Sequence, residues 1–90
     1  MSAIDHQENL NRFVLTKNGH ECLLEYQFLA SINKSEDLKT IDFSRTYVPF
    51  ALRGQGLAEE IVQTGLSWAK EQGYQIEASC SYVHKFLPVD

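Results

Sequence analysis

The residues most suited to binding a charged ligand are Arg53, Gly54, Gln55 and Gly56, which stand between a strand-like segment and a helical pattern. A glycine-rich turn that leads into a helix presents unpaired backbone N–H groups and the positive end of the helix dipole at one point. Glycine also lets a ligand approach the backbone closely, and Arg53 adds a permanent positive charge. This stretch therefore predicts an anion site, with phosphate as the expected anion.

Two well-known phosphate loops do not fit this stretch. A P-loop requires the pattern GxxxxGK[ST], and neither Lys-Ser nor Lys-Thr follows Gly56. A dinucleotide fingerprint, GxGxxG, would place Glu59 where the third glycine lets helix and strand pack closely. A chain of 90 residues is also too short for two mononucleotide-binding halves.

The loop does match a third pattern, the pyrophosphate loop of GNAT-type N-acetyltransferases, which reads Gln or Arg, two residues, Gly, one residue, then Gly or Ala. The matching residues are Arg53, Gly54, Gln55, Gly56, Leu57 and Ala58. Over residues 10–87 the chain resembles the minimal GNAT-type N-acetyltransferases, the NATD1-like group. The most specific parts of this resemblance are residues 46–66, which contain "TYVP" and "LRGQGLAEEIV", and residues 79–83.

The resemblance implies a site for acyl-CoA. It places the pyrophosphate on residues 53–58 and the pantetheine arm between two splayed parallel strands, which here end near Val48 and Ser79. It also implies acetyl-CoA as the acyl donor, with an unidentified amine on a small molecule or a protein as the acceptor, and no metal. The family commonly carries His where this chain has Arg45. The chain ends at Asp90 without the last strands on which larger members place acceptor-binding and acid residues, so the resemblance leaves the identity of the acceptor open.

Transfer of an acetyl group to an amine requires a neutral amine, a donor to the carbonyl oxygen and an acid for the departing thiolate. Cys80 stands before a predicted helix, where a lowered thiol pKa would suit transient acylation or close approach to the thioester. The alternative is that Cys80 is a small inward-facing strand residue. Tyr82 and His84 are candidate acids or bases, with packing or surface roles as alternatives. Arg45 is a further catalytic candidate, because it alternates with Tyr47 and would then face the cleft; the alternative is a solvated strand residue.

A β-hairpin is predicted at Asn18-Gly19, because a type I′ turn needs positive φ at both central residues. With residues 17 and 20 beside the turn, Leu15 lies opposite Cys22 on an apolar face. A polar turn at residues 31–37 leads to a third antiparallel strand over residues 38–48. The alternation in that strand predicts that Ile41, Phe43 and Tyr47 share one face.

One amphipathic helix is predicted after the loop, and it ends at Gly73, a residue type typical of helix C-termini. Its apolar face consists of Leu57, Ala58, Ile61, Val62, Gly65, Leu66 and Ala69. Gly65 on that face indicates close contact between helix and sheet. Residues 74–80 predict a fourth strand, followed by a short helix with Ser81 as N-cap and Pro88 as its end.

The predicted fold is therefore α+β, a reduced GNAT-like fold in a single domain over residues 1–90. Strands one to three are antiparallel, and strand three begins a strand-helix-strand unit. Such a unit predicts that strands three and four are parallel neighbours, with the helix crossing over one face in the right-handed sense. A short C-terminal helix closes the chain. Residues 1–9 are polar and without period, so we expect them to be flexible.

Composition limits the partners and the compartment. The net charge is −4, with eight scattered Lys and Arg, which argues against nucleic acid as a partner. No apolar run approaches the ~20 residues that cross a bilayer, and the start lacks a secretion signal, so we expect a cytoplasmic protein without membrane partners. Cys22 and Cys80 form no metal-ligand spacing with the histidines, so we expect reduced thiols and no metal.

Two functions remain open at this point. The first is an acyl-CoA-dependent N-acetyltransferase. The second is a CoA-binding or interaction module of the same fold with weak or no catalysis, and a structural domain that does not bind CoA is the remaining alternative.

Overall fold

The computed structural model describes residues 3–29 and 39–87. Its strands are β1 (Ala3–Gln7), β2 (Arg12–Lys17), β3 (His20–Leu29), β4 (Thr40–Tyr47) and β5 (Gln75–Ala78), and its helices are α1 (Leu57–Glu71) and α2 (Ser81–His84). The strands form one sheet in chain order, with antiparallel pairing up to β4 and parallel pairing between β4 and β5. The α+β class is confirmed, with one more strand than predicted. The predicted turn at residues 31–37 and the helix end at Pro88 lie outside the described residues.

The hairpin between β2 and β3 has the predicted register. Asn18 and Gly19 have φ values of 53° and 79°, which suit the type I′ turn. Leu15 pairs with Cys22, and both side chains are fully buried. The turn residues therefore fix which face of the sheet carries the core.

The N-terminal strand β1 corrects the prediction that residues 1–9 are flexible, because Ala3–Gln7 pairs antiparallel with β2. His6 holds this strand to the sheet. Its ring stacks on Phe13 with ring centroids 4.0 Å apart, and its Nε2 lies 2.8 Å from the hydroxyl of Tyr26. These contacts come from distant parts of the chain, so a polar segment without period does not reveal them.

Helix α1 covers one face of the sheet. Its buried residues are Leu57, Ile61, Val62, Gly65, Leu66 and Ala69, which confirms the predicted apolar face except for the partly exposed Ala58. A Cβ atom on Gly65 would lie 2.5 Å from Cδ2 of Leu24 and 3.3 Å from Cε1 of Phe43. Glycine at this position therefore lets the helix backbone rest on the sheet.

The substitution Gly65→Ala should lower the melting temperature, although alanine is the better helix former by about 1 kcal/mol. The added methyl group displaces Leu24 at a cost of roughly 1–3 kcal/mol, which outweighs that gain. Thermal unfolding measures the change. The control is Ser67→Ala on the exposed side of the same helix, which should be neutral or slightly stabilising. A Gly65→Ala protein at least as stable as the wild type would contradict this close packing.

A β-bulge in β4 corrects the predicted face of Tyr47. The register with β3 shifts by one residue, which leaves Ser44 without a partner. Beyond the bulge the alternation is reversed, so Ile41 and Phe43 are fully buried while Tyr47 is 41% exposed. Thr46 points toward the core side in place of Tyr47.

The start of α2 also differs from the prediction by one residue. Cys80, with an extended backbone, occupies the N-cap position, and Ser81 is the first helical residue rather than the N-cap. The backbone N–H of Cys80 donates to the carbonyl of Phe43 at 3.1 Å. This bond keeps Cys80 extended against the sheet, so the helix begins directly after it at Ser81, one residue earlier than predicted.

Candidate acyl-CoA site

The glycine loop leads directly into α1 and leaves the start of the helix open. Gly54 and Gly56 have φ values of 81° and 76°, a region that glycine adopts without strain. The first N–H groups of a helix lack an intrahelical acceptor. Gly56 is the N-cap and has no side chain to accept from them, so these groups are left uncapped. Apart from the adjacent residues in the chain, no atom of the described residues lies within 4 Å of a Cβ built on either glycine. This open cradle of donors fits a phosphate group.

A pocket of about 180 Å³ opens beside this loop. It is lined by Val48, Leu52, Arg53, Gly54, Gly56, Leu57, Ala58 and Tyr82. Six of the eight residues predicted to bind CoA share this pocket with Tyr82, which the sequence predicts as a catalytic candidate. Leu52 is the lining residue that the sequence does not predict, and it is 1% exposed in the short 3₁₀ turn Phe50–Leu52.

Arg53 is the cation at the edge of the pocket. Its Nε donates to the carbonyl of Val48 at 3.0 Å, and its Cζ lies 5.9 Å from the ring centroid of Phe50. The first contact ties the loop to the end of β4. Because neither partner is an acid, the guanidinium keeps its charge for an anion.

The two other predicted CoA residues, Gln55 and Ser79, do not line the pocket. The Gln55 side-chain oxygen accepts a hydrogen bond from Nζ of Lys17 at 2.7 Å. The backbone N–H of Ser79 donates to Asp42 at 2.7 Å, and the Ser79 hydroxyl donates to the same carboxylate. Burial raises the pKa of Asp42, but the hydrogen bonds from Ser79 and Gln27 outweigh burial and hold it below its usual value. Ser79 therefore links the end of β5 to Asp42 of β4 and does not face the pocket.

The pairing of β4 and β5 ends a few residues before two lining residues of this pocket, Val48 and Tyr82. The last pair is Phe43 with Ala78, while β4 continues to Tyr47. Beyond that point the Oγ1 of Thr46 lies 3.6 Å from the Sγ of Cys80. The place where Thr46 and Cys80 meet, here called the fork, is where the family resemblance would put the pantetheine arm.

Cys80 places a partly exposed thiol at the fork. Burial raises the pKa of this thiol, but the backbone N–H groups of Val83 and Tyr82 and the nearby Thr46 favour the thiolate, and the resulting pKa lies below its usual value. Cys22 is the opposite case, since it is fully buried and burial raises its pKa.

Tyr82 lines the pocket from the first turn of α2. Burial raises the pKa of its hydroxyl, and the negative charge of Glu59 raises it further. Tyr82 therefore keeps its proton at neutral pH, which suits a proton donor.

Two predicted candidates lie away from the pocket. Arg45 follows the bulge, its side chain is 59% exposed, and its guanidinium lies 3.7 Å from the carboxylate of Glu25. Alternation along β4 puts Arg45 on the face opposite Thr46. The exposed His84 lines a different cavity of about 410 Å³ beside Asp42. Of the predicted candidates, Tyr82 lines the pocket, and Cys80 lies outside its lining, two residues earlier and beside Thr46.

Besides Leu52 in the pocket lining, sequence reasoning misses two nearby residues, Thr46 beside Cys80 and Lys17 beside Gln55. A bulge decides the direction of Thr46, and no local pattern marks that bulge. The hairpin register does place Lys17 at the tip of a hairpin, but only the packed fold brings that tip to the loop.

A larger cavity of about 350 Å³ lies against α1 and the residues after α2, and it contains none of the predicted site residues. Within residues 3–29 and 39–87, no cluster of three His, Cys, Asp or Glu could hold a metal ion. Neither described helix is long and apolar enough to span a membrane.

Known proteins are similar to this chain over most of its length. The family described as GCN5-related N-acetyl-transferase matches residues 12–89. Protein NATD1 of Xenopus tropicalis is 26% identical over 86 residues, which cover 93% of this chain and 72% of that protein. Protein NATD1 of Homo sapiens is 24% identical over 86 residues, which cover 93% of this chain and 70% of that protein.

A solved structure supports the fold. The ribosomal-protein-alanine N-acetyltransferase from Brucella melitensis biovar Abortus 2308 superposes with a TM-score of 0.57 at 16% identity. The match covers 78% of this chain and 53% of that protein, so this chain spans about half of its length. Because the family match extends over most of the chain, this protein belongs to the GCN5-related N-acetyltransferase family, in the NATD1-like group that its sequence predicts.

Proposed function

We propose that this chain is an acyl-CoA-dependent N-acetyltransferase that moves an acetyl group from acetyl-CoA to an amine. The observation that carries this proposal is the pocket in which the open glycine loop, Arg53 and Tyr82 meet. The first N–H groups of α1 and Arg53 would hold the pyrophosphate, and the fork would hold the arm that carries the acetyl group. Acetyl-CoA would supply an activated acetyl thioester at that point.

Tyr82 is the proposed proton donor. As the amine nitrogen bonds to the acetyl carbon, the carbon–sulfur bond breaks and Tyr82 donates its hydroxyl proton to the leaving sulfur. The proton that the amine loses returns to the phenolate or passes to water. The raised pKa of Tyr82 keeps the required proton in place at neutral pH.

Cys80 is the second proposed reacting residue, because a thiol with a lowered pKa lies at the fork next to Thr46. On a covalent route, the Cys80 thiolate attacks the acetyl carbon and the bond to the CoA sulfur breaks, with Tyr82 protonating that sulfur. The amine then displaces the Cys80 thiolate from the acetyl group. The direct and the covalent routes differ in whether Cys80 ever carries the acetyl group, so a test on Cys80 distinguishes them.

The thiol of Cys80 should react with iodoacetamide at neutral pH well before that of Cys22. A lowered pKa provides thiolate and partial exposure gives access, whereas Cys22 is fully buried. Saturating CoA should protect Cys80. Peptide mass spectrometry over time measures both rates. If Cys80 reacted as slowly as Cys22, Cys80 would be a core residue.

A CoA-binding module with weak or no catalysis is the second candidate function. It is favoured because the pocket is lined neither by His84, a candidate base, nor by Arg45, which stands where the family commonly carries His. Release of the CoA thiol from acetyl-CoA, measured against a panel of small amines and peptides, separates the two. Release that depends on an amine supports the transferase, and acetyl-CoA binding without any such release supports the module.

A further inference from the structure

Lys17 brings a second positive charge to the glycine loop. It is the last residue of β2, beside the hairpin turn, and its Nζ donates to the side-chain oxygen of Gln55 at 2.7 Å. The two residues are 38 positions apart in the sequence and both side chains are exposed. The tip of the hairpin is therefore in direct contact with the loop that starts α1.

This contact leaves the charge of Lys17 available. The amide of Gln55 is neutral, so it orients the ammonium group without compensating its charge. Among the described residues, no ion pair involves Lys17, whereas Arg45 is paired with Glu25. An ammonium group has three N–H donors, so two remain beyond the bond to Gln55.

The loop needs such a charge if it binds CoA. CoA carries a pyrophosphate and a further phosphate on the 3′-oxygen of its ribose. The lining of the pocket contains one cation, Arg53, while Glu59 and Glu60 lie in the first turn of α1. Because the net charge of the protein is −4, its overall electrostatic field does not attract a phosphate. A nearby cation must therefore attract the additional phosphate of CoA.

We propose that Lys17 binds the 3′-phosphate of CoA, so that the hairpin tip and the glycine loop together form the nucleotide end of the site. This inference rests on the proposed CoA binding and adds a residue that distinguishes CoA from dephospho-CoA. Gln55 is the positioning residue, which holds the ammonium group beside the loop.

The test compares the dissociation constants of CoA and dephospho-CoA by calorimetry, for the wild type and for Lys17→Ala. We expect the wild type to prefer CoA by about tenfold or more, as for one exposed charge-assisted contact. Lys17→Ala should remove most of that preference and leave the affinity for dephospho-CoA unchanged, which also shows that the loop is intact. The preference of the wild type should shrink as salt is raised.

Two lysines serve as matched comparisons. Lys39→Ala should keep the full preference, because Lys39 lies over the ring of Phe28 at the other end of the sheet. Lys85 lies 4.4 Å from the ring centroid of Tyr82, so it is the competing candidate for the phosphate.

Three results would overturn the role of Lys17 while leaving CoA binding in place: a wild type without preference, a Lys17→Ala protein that keeps the preference, or a preference lost only in Lys85→Ala. A wild type that binds neither ligand would instead remove the proposed function and this inference together.

Discussion

The substitution Gly56→Val should weaken the binding of acetyl-CoA and CoA by roughly 100-fold or more, since two charge-assisted N–H bonds to phosphate are together worth about 3 kcal/mol or more. Gly56 has a φ of 76° and open space at its Cβ position, which is the space that the phosphate would occupy. A branched side chain there fills the cradle and strains the loop. Calorimetry with CoA measures the change.

Backbone strain from the new side chain also lowers stability. The control must therefore introduce the same strain at a position distant from the site. Gly73→Val provides it, because Gly73 has a φ of 77° and equally open surroundings at the other end of α1. Both variants should lose about 1–3 kcal/mol of stability, but only Gly56→Val should lose affinity for CoA. Unchanged CoA affinity in a folded Gly56→Val protein would place the anion site elsewhere.

The substitution Tyr82→Phe should lower kcat by roughly 100-fold or more and leave the affinity for acetyl-CoA nearly unchanged. The ring still lines the pocket, whereas the proton for the leaving thiolate is lost, and a general acid contributes about 10²–10⁴ in rate. Steady-state thiol release with an amine that the wild type acetylates measures both parameters.

The pH dependence provides a second readout for Tyr82. The donor must be protonated, and its pKa is raised by burial and by Glu59, so kcat should fall only above the ordinary tyrosine value of about 10. That fall should be absent from the residual activity of Tyr82→Phe. The matched control is Tyr74→Phe, since Tyr74 lies among the rings of Phe28 and Trp68, away from the pocket. A Tyr82→Phe enzyme with full kcat would remove this residue from the mechanism.

Cys80→Ala decides between the two routes of transfer. An acetyl group found on Cys80 after incubation with acetyl-CoA, together with inactivity of the folded variant, would establish the covalent route. A folded Cys80→Ala protein with the full transfer rate would end the nucleophile role and leave direct transfer, with Tyr82 as the acid.

The parts of this protein that follow local rules can be predicted from the sequence. The turn at Asn18-Gly19 fixes the hairpin register, and the 3.6-residue period fixes the buried face of α1. The glycine loop is also local, because positive φ and a helix start are set by Gly54 and Gly56 themselves. For this reason six of the eight predicted CoA residues line one pocket.

The parts that depend on tertiary contacts cannot be predicted in this way. The bulge at Ser44 turns Arg45 away from the fork and brings Thr46 to Cys80, although simple alternation predicts otherwise. Likewise Ala3–Gln7, within a polar segment without period, forms a strand in which His6 finds aromatic partners on other strands.

Thermal unfolding of the wild-type protein with and without acetyl-CoA tests most directly whether residues 53–58 and the fork form an acyl-CoA site. At ~100 times its dissociation constant, acetyl-CoA should stabilise the fold by about 2.7 kcal/mol, which for a domain of this size is a rise in melting temperature of roughly 10 °C or more. Gly73→Val should keep this rise and Gly56→Val should lose it. A melting temperature that neither acetyl-CoA nor CoA changes, even at saturating concentration, would contradict the site and both candidate functions.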